Sequence, residues 1–191
     1  MEYSDSFETA LNHAMLYEVG PNWVLTPDVE AGLCSTRAQQ KATGYVNDPA
    51  DPGGETKFGI AKNANPTVDI KALTFSEARD IYYARYWVPG LCDKLSTRLA
   101  LLHFDGCINI GVQRAKQLLQ KAAGVAPDGV IGPVTLAAIT AKNDIDLCNA
   151  LCDARAAYYQ QIVQARPASA KFLKGWLNRI TELRTFVQNL K

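Results

Sequence analysis

The chain has 191 residues, 48% of them hydrophobic, with 20 lysines and arginines against 19 aspartates and glutamates, a formal charge of +1. A chain of this size buries roughly 70% of its unfolded surface, so one domain or two small lobes is expected, and the ordinary composition argues against disorder, collagen and coiled coils. The balanced charge argues against nucleic acid as a partner, and no apolar run approaches the ~20 residues of a membrane helix, so no membrane insertion is expected.

Along the chain, Met1 to Glu8 has no basic start and no long apolar run. No cleavable signal is expected there, and synthesis in a cytoplasm is. Residues 5–18 are predicted helical, capped by Ser6 or Asp5, with Phe7, Leu11, Ala14, Met15 and Glu18 on one face. Residues 19–70 are dominated by Pro, Gly and turn signals such as Asn47-Asp48-Pro49 and Asp51-Pro52-Gly53-Gly54. Short strands near Tyr45-Val46 and Phe58-Gly59-Ile60 are the only regular structure expected in that stretch. A long irregular segment inside a compact domain is usually functional.

From Thr74 on, the pattern is helical. Thr74-Phe75-Ser76-Glu77 reads as a capping box for a helix running to about Tyr86. Further helices are predicted over about 95–110, 112–123, 133–141, 145–164 (capped by Asp144) and 168–189. The fold class is therefore mainly α, with a small loop and strand lobe near the N-terminus. The five cysteines, Cys34, Cys92, Cys107, Cys148 and Cys152, are an odd and scattered set without a CxxC, and His13 and His103 are the two histidines. Buried free thiols are expected, and neither a zinc site nor any other metal.

Two places could carry chemistry. Glu18 ends the first predicted helix, where the negative end of the dipole and partial burial would both favour a protonated carboxyl, as a general acid requires. A solvated helix end is the plainer reading of the same residue. The stretch from Tyr45 to Ile60 gathers Asp48, Asp51, Glu55, Asn47 and Thr56 among glycines. Two carboxylates across a cleft suit glycoside hydrolysis, whereas a structural turn with Asx caps is the plainer alternative. Neither histidine sits in a nucleophile motif, and no phosphate-cradling loop follows Gly53-Gly54.

The block Gly44-Tyr45-Val46-Asn47-Asp48-Pro49-Ala50-Asp51-Pro52-Gly53-Gly54-Glu55-Thr56-Lys57-Phe58-Gly59-Ile60 resembles the signature of glycoside hydrolase family 108, N-acetylmuramidases of phages and bacteria. A second stretch, Phe104-Asp105-Gly106-Cys107-Ile108-Asn109-Ile110-Gly111, then Leu118-Leu119-Gln120 and Pro127-Asp128-Gly129-Val130-Ile131-Gly132-Pro133, is similar to the family's C-terminal predicted peptidoglycan domain. In the family a catalytic glutamate directly precedes Gly-Gly-Tyr, but here Ala42-Thr43-Gly44 stands before Tyr45. An insertion over about 21–43 restores the pattern and makes Glu18 the counterpart, with Asp51 and Thr56 as its partners. Without the insertion, Glu30 or Glu55 would be the acid, or the protein would be a non-catalytic relative.

The resemblance implies a lysozyme-like helical fold and a peptidoglycan hydrolase of lysozyme type that cuts the β-1,4 bond between N-acetylmuramic acid and N-acetylglucosamine. A lytic transglycosylase and a non-catalytic wall-binding protein are the alternatives. Tyr45, Asn47, Asp48, Trp87 and Asn109 are the candidates for holding glycan, with Tyr86 beside them. The implied arrangement is a catalytic lobe over 1–92 and a helical lobe over 93–191, packed as one globule, with residues 21–43 as a lid. Bacterial peptidoglycan is the implied partner, no cofactor is required, and the chain is expected to act as a monomer, as an endolysin released by a holin or carried in a virion.

Overall fold

The computed structural model describes residues 2–48 and 53–190. The architecture is mainly α-helical, with one two-stranded antiparallel sheet among the described residues, the pattern expected of a lysozyme-like chain. Two compact units divide it. One comprises residues 11–85, the other residues 1–10 with 86–191. The boundary falls at 85/86, a few residues before the expected 92/93, and the first ten residues join the later unit. Phe7 explains their place, because its ring packs edge-on against Trp87 at 5.2 Å and Phe104 at 5.7 Å.

Helix α1 covers Asp5–Glu18. Its cap is Ser4, whose hydroxyl accepts from the Phe7 amide at 3.3 Å, one residue earlier than the expected cap. The expected excursion at 21–43 is folded. It carries α2 (Pro27–Glu30) and α3 (Arg37–Thr43), capped by Thr26 and Thr36, the latter in a full capping box with Gln39. Both caps are short local Thr signals hidden among prolines and glycines.

This segment is tied down and is not a free lid. Arg79 pairs with Glu30 at 3.4 Å, and Gln39 donates to Asp28 at 3.2 Å. Gly32 (φ +67°) lies so close to the next helix that a Cβ there would stand 2.2 Å from the Leu73 carbonyl oxygen. Only glycine allows that approach.

The sheet is a hairpin of β1 (Thr56–Lys57) and β2 (Ile60–Ala61), extended by a bridge between Val46 and Thr56. Its two-residue turn is Phe58-Gly59, both at positive φ (50° and 73°), the type I′ pattern that matches strand twist. Phe58 is an unusual residue for such backbone. Burial compensates, because its ring meets Phe75 at 5.3 Å and Trp23 at 6.2 Å, its amide donates to the Thr43 carbonyl, and its own carbonyl accepts from the Tyr82 hydroxyl. Lys57, at 0% exposure, donates its ammonium to the Lys71 carbonyl at 2.7 Å. Burial pushes its pKa down.

Helix α4 spans Phe75–Tyr82 with both arms of the Thr74/Glu77 box formed, and a π turn follows over Tyr83–Trp87. A single turn α5 (Val88–Gly90) precedes α6 (Thr97–Ile110), which Ser96 caps. Residues Leu99 to Cys107 are all buried, so α6 is the central helix of its unit. Against it pack α7 (Val112–Ala123), α9 (Asp144–Ala165) and α10 (Ala170–Asn189), with α8 (Pro133–Thr140) beside α7. The cap of α9 is Asn143 and not Asp144. Asn143 accepts from the amides of Ile145 and Asp146, while Asp144 is engaged by the Ser96 hydroxyl and Arg98.

All five cysteines are buried free thiols. Burial raises Cys148 to about 12, so it is inert at neutral pH.

The loop from Pro127 to Thr135 is organised by one buried side chain. Gln120 donates to Asp128 Oδ1 at 2.6 Å and to the Val130 carbonyl at 3.1 Å, and accepts from the Gly129 amide at 2.7 Å. Gln120→Ala would leave the Gly129 amide and the Val130 carbonyl without these partners. A loss of about 2–3 kcal/mol is expected, read by urea denaturation monitored by circular dichroism. A variant of wild-type stability would show that water replaces the glutamine.

Candidate active site

Glu18 is the final residue of α1, placed by the buried face of Leu11, Ala14 and Met15. The chain leaves the helix at once, with the amides of Val19 and Gly20 both donating to the Met15 carbonyl. Glu18 itself is half-buried. Its carboxylate stands over the tip of the hairpin. A Cβ on Gly59 would lie 3.2 Å from Glu18 Oε2, 3.0 Å from Glu18 Cβ and 2.6 Å from the Tyr82 hydroxyl oxygen. The Tyr82 hydroxyl donates to the Phe58 carbonyl at 2.9 Å, which fixes the turn. One acid, one phenol and one bare glycine therefore converge within the 11–85 unit.

Sequence patterns alone pointed to neither Gly59 as a contact of Glu18 nor Tyr82 as its neighbour. The available signal was Phe58-Gly59 between alternating residues, which marks a two-residue hairpin.

Gly59→Ala is expected to disturb this arrangement in two ways. Left-handed backbone costs an alanine about 1–2 kcal/mol, so the melting midpoint should fall by about 2–8 °C. The added methyl also pushes on the Tyr82 hydroxyl and the Glu18 carboxylate, so wall-degrading activity should fall at least about tenfold at a temperature where the variant is fully folded. Unchanged activity would show that the site tolerates movement of Glu18.

Thr56 lies on β1, half-buried, its backbone paired with Val46 and its hydroxyl donating to the Gly54 carbonyl at 3.2 Å. The Tyr45 hydroxyl donates to Glu55 Oε1 at 2.6 Å. That bond, with burial added, pushes the Tyr45 pKa up to about 12, and Asn47 also reaches the same hydroxyl. Asn47 and Asp48 are exposed on the loop that follows. Asp51 lies outside the described residues. The two alternative acids are already engaged, Glu55 by Tyr45 and Glu30 by Arg79. Among the described residues no group of three His, Cys, Asp or Glu is placed to hold a metal ion.

Trp87 and Asn109 belong to the other unit, where the expectation for Trp87 requires correction. Trp87 has no exposure, its ring meets Phe7 and Phe104, and its indole N–H donates to Asp93 at 2.7 Å. It offers no face for a sugar to stack on. An aromatic cluster drawn from three segments encloses it. Asn109 accepts from the Tyr159 hydroxyl, within a network that continues to Arg155 and Asp105. Tyr86 is half-buried.

Comparison with known proteins bears on this geometry. The sequence model described as Glycosyl hydrolase 108 matches residues 37–111, and the one described as Predicted Peptidoglycan domain matches residues 114–181. The solved structure of SagA from Brucella abortus is similar over 96% of this chain and 94% of that one, at 31% identity and a TM-score of 0.69. The chain belongs to glycoside hydrolase family 108. Among curated proteins there is no significant match.

This family 108 protein is a peptidoglycan hydrolase, a glycosidase whose substrate is the bacterial cell wall. Its family match begins at Arg37, so Glu18 and most of the excursion precede the matched stretch. No helix among the described residues is long and apolar enough to cross a membrane.

Proposed function

We propose that the protein is a muramidase, cutting the β-1,4 bond between N-acetylmuramic acid and N-acetylglucosamine with Glu18 as general acid. One observation carries this reading. In a family 108 chain, a half-buried carboxylate at a helix end stands against the bare glycine of the hairpin that carries the family's motif.

In this mechanism Glu18 gives its proton to the bridging oxygen as the bond from C1 to that oxygen breaks. The sugar then carries oxocarbenium character, and water completes the hydrolysis. Asp51 stabilises that positive charge or directs the water, and Thr56 helps to hold the water. Tyr45, Asn47 and Asp48 line the approach for glycan, the Tyr45 hydroxyl being fixed by Glu55 so that its ring keeps one orientation. The enzyme acts as a monomer. The family resemblance supports an endolysin role with holin-dependent release.

Mass spectrometry of the soluble fragments from purified peptidoglycan tests the proposal. Reducing-end N-acetylmuramic acid is the expected product. Anhydro-muramic ends would make the enzyme a lytic transglycosylase, reducing-end N-acetylglucosamine would move the cut to the other bond, and wall binding without fragments would leave a binding protein.

A further inference from the structure

Immediately after Glu18 the chain opens a cavity of about 290 Å³, within the 11–85 unit. Val19, Gly20, Pro21 and Trp23 form one side, and Ala38 and Lys41 of α3 form the other. Its volume is at the small end of ligand pockets, enough for a group of dipeptide size.

The cavity is joined to the site of Glu18 through two routes. Along the chain, Val19 and Gly20 are the next residues. Through space, Trp23 packs on Phe58 and Phe75, and Phe58 is the turn residue preceding Gly59. A substrate seated at Glu18 therefore has the cavity beside it.

The chemistry of the walls narrows the occupant. The lining is mostly carbon, with Val24, Leu25 and Leu33 exposed on the same segment. Lys41 supplies the one cation, and among the described residues no carboxylate pairs with it. The polar side chains of the lining are Asn22 and Lys41, fewer than the several partners a sugar's hydroxyls would need. A group carrying small apolar branches and one carboxylate fits. On a peptidoglycan strand, the group next to the muramyl ring with that character is the lactyl ether and the first two residues of the stem, L-alanine and D-glutamate.

We propose that this cavity is the subsite for the start of the stem peptide, its walls taking the lactyl and alanyl methyls and Lys41 pairing with the glutamyl carboxylate. The proposal rests on the glycosidase reading for its placement beside Glu18. It assigns the 21–43 excursion a role in substrate choice. That segment's fixed ion pair and hydrogen bonds suit a preformed wall better than a moving cover.

Two measurements test it separately. In the first, uncrosslinked glycan strands with stem peptides are compared with the same strands stripped by an amidase. Wild type should favour the peptide-bearing strands at least about tenfold in kcat/KM, an energy of about 1.4 kcal/mol. In Lys41→Gln that ratio should fall toward one, and Lys41→Arg should restore most of it. In the second, calorimetry with soluble N-acetylmuramyl-L-alanyl-D-glutamate should show binding to wild type, weakened about tenfold in Lys41→Gln. Equal cleavage of both strands by wild type, or equal binding by wild type and Lys41→Gln, would overturn the subsite. If neither strand were cut, the glycosidase reading would fail, and the calorimetry would still decide the subsite.

Discussion

Glu18→Gln is expected to lose wall-degrading activity by about 10²–10⁴-fold, the usual contribution of general acid–base catalysis. Glutamine keeps the shape and hydrogen-bonding reach of the side chain but has no acidic proton to give. The residue is half-buried at the end of α1, against Gly59, so the amide fits where the carboxylate stood. Stability should change by no more than about 0.5 kcal/mol. Dye release from labelled peptidoglycan gives the activity, and thermal unfolding shows that the fold is intact. Full activity in this variant would move the acid elsewhere, with Glu55 and Glu30 as the next to substitute. Both hold partners in the fold, so the stability of each variant is measured beside its activity.

The second large effect lies away from the chemistry. Asp105, on the central helix α6, is fully buried between two arginines. Arg155 reaches Oδ2 at 2.6 Å and also donates to the Leu102 carbonyl, and Arg179 reaches Oδ1 through two nitrogens at 2.6 and 2.9 Å. Removing one member of a buried ion pair strands the other's charge, so Asp105→Ala should cost about 3–5 kcal/mol. For a chain of this length that lowers the melting midpoint by about 6–20 °C.

The pH dependence has a definite sign. Burial by itself would raise the Asp105 pKa, but the two guanidinium groups outweigh it and hold it below the usual carboxylate range. A folded-state pKa below the unfolded value gives stability that is fully present above the unfolded pKa, about 3.9. That stability is lost as pH falls through the lower folded value. The gap in melting midpoint between wild type and Asp105→Ala should therefore be constant from pH 7 to about 5 and narrow below about 4. A gap that stayed constant to pH 3 would show that packing, not charge, makes the difference.

Asp105 also bears on how the second sequence motif should be understood. Phe104-Asp105-Gly106 looked like part of a family signature with Asn109 as a glycan contact. In the structure, Asp105, Arg155, Tyr159 and Asn109 form one connected network inside the helical unit. Gly106 lies beside it, where a Cβ would stand 3.5 Å from Ala115 and 3.8 Å from Arg155 Nε. The polar residues of that motif hold α6, α9 and α10 together. A polar residue on an apolar helix must find a partner, and here the partner came from 50 residues further along the chain.

What could be read directly from the chain was local. The Thr74/Glu77 capping box, the α7 boundary at Gly124, the end of α1 at Glu18 and the mainly α class all follow from interactions within four residues or from a repeating apolar face. The family motif was equally legible, because it is a run of consecutive residues. Tertiary structure decided the rest. It chose Asn143 over Asp144 as a cap, because Asp144 is needed by Ser96 and Arg98. It buried Trp87 between Phe7 and Phe104, and it buried the ammonium of Lys57 on a backbone carbonyl. It also placed Gly59 against Glu18, 41 positions apart in the numbering, and folded the proline-rich excursion into the wall of a cavity. None of these is settled by neighbours in sequence alone. Each depends on which distant side chain or carbonyl competes for the same group once the chain has closed on itself.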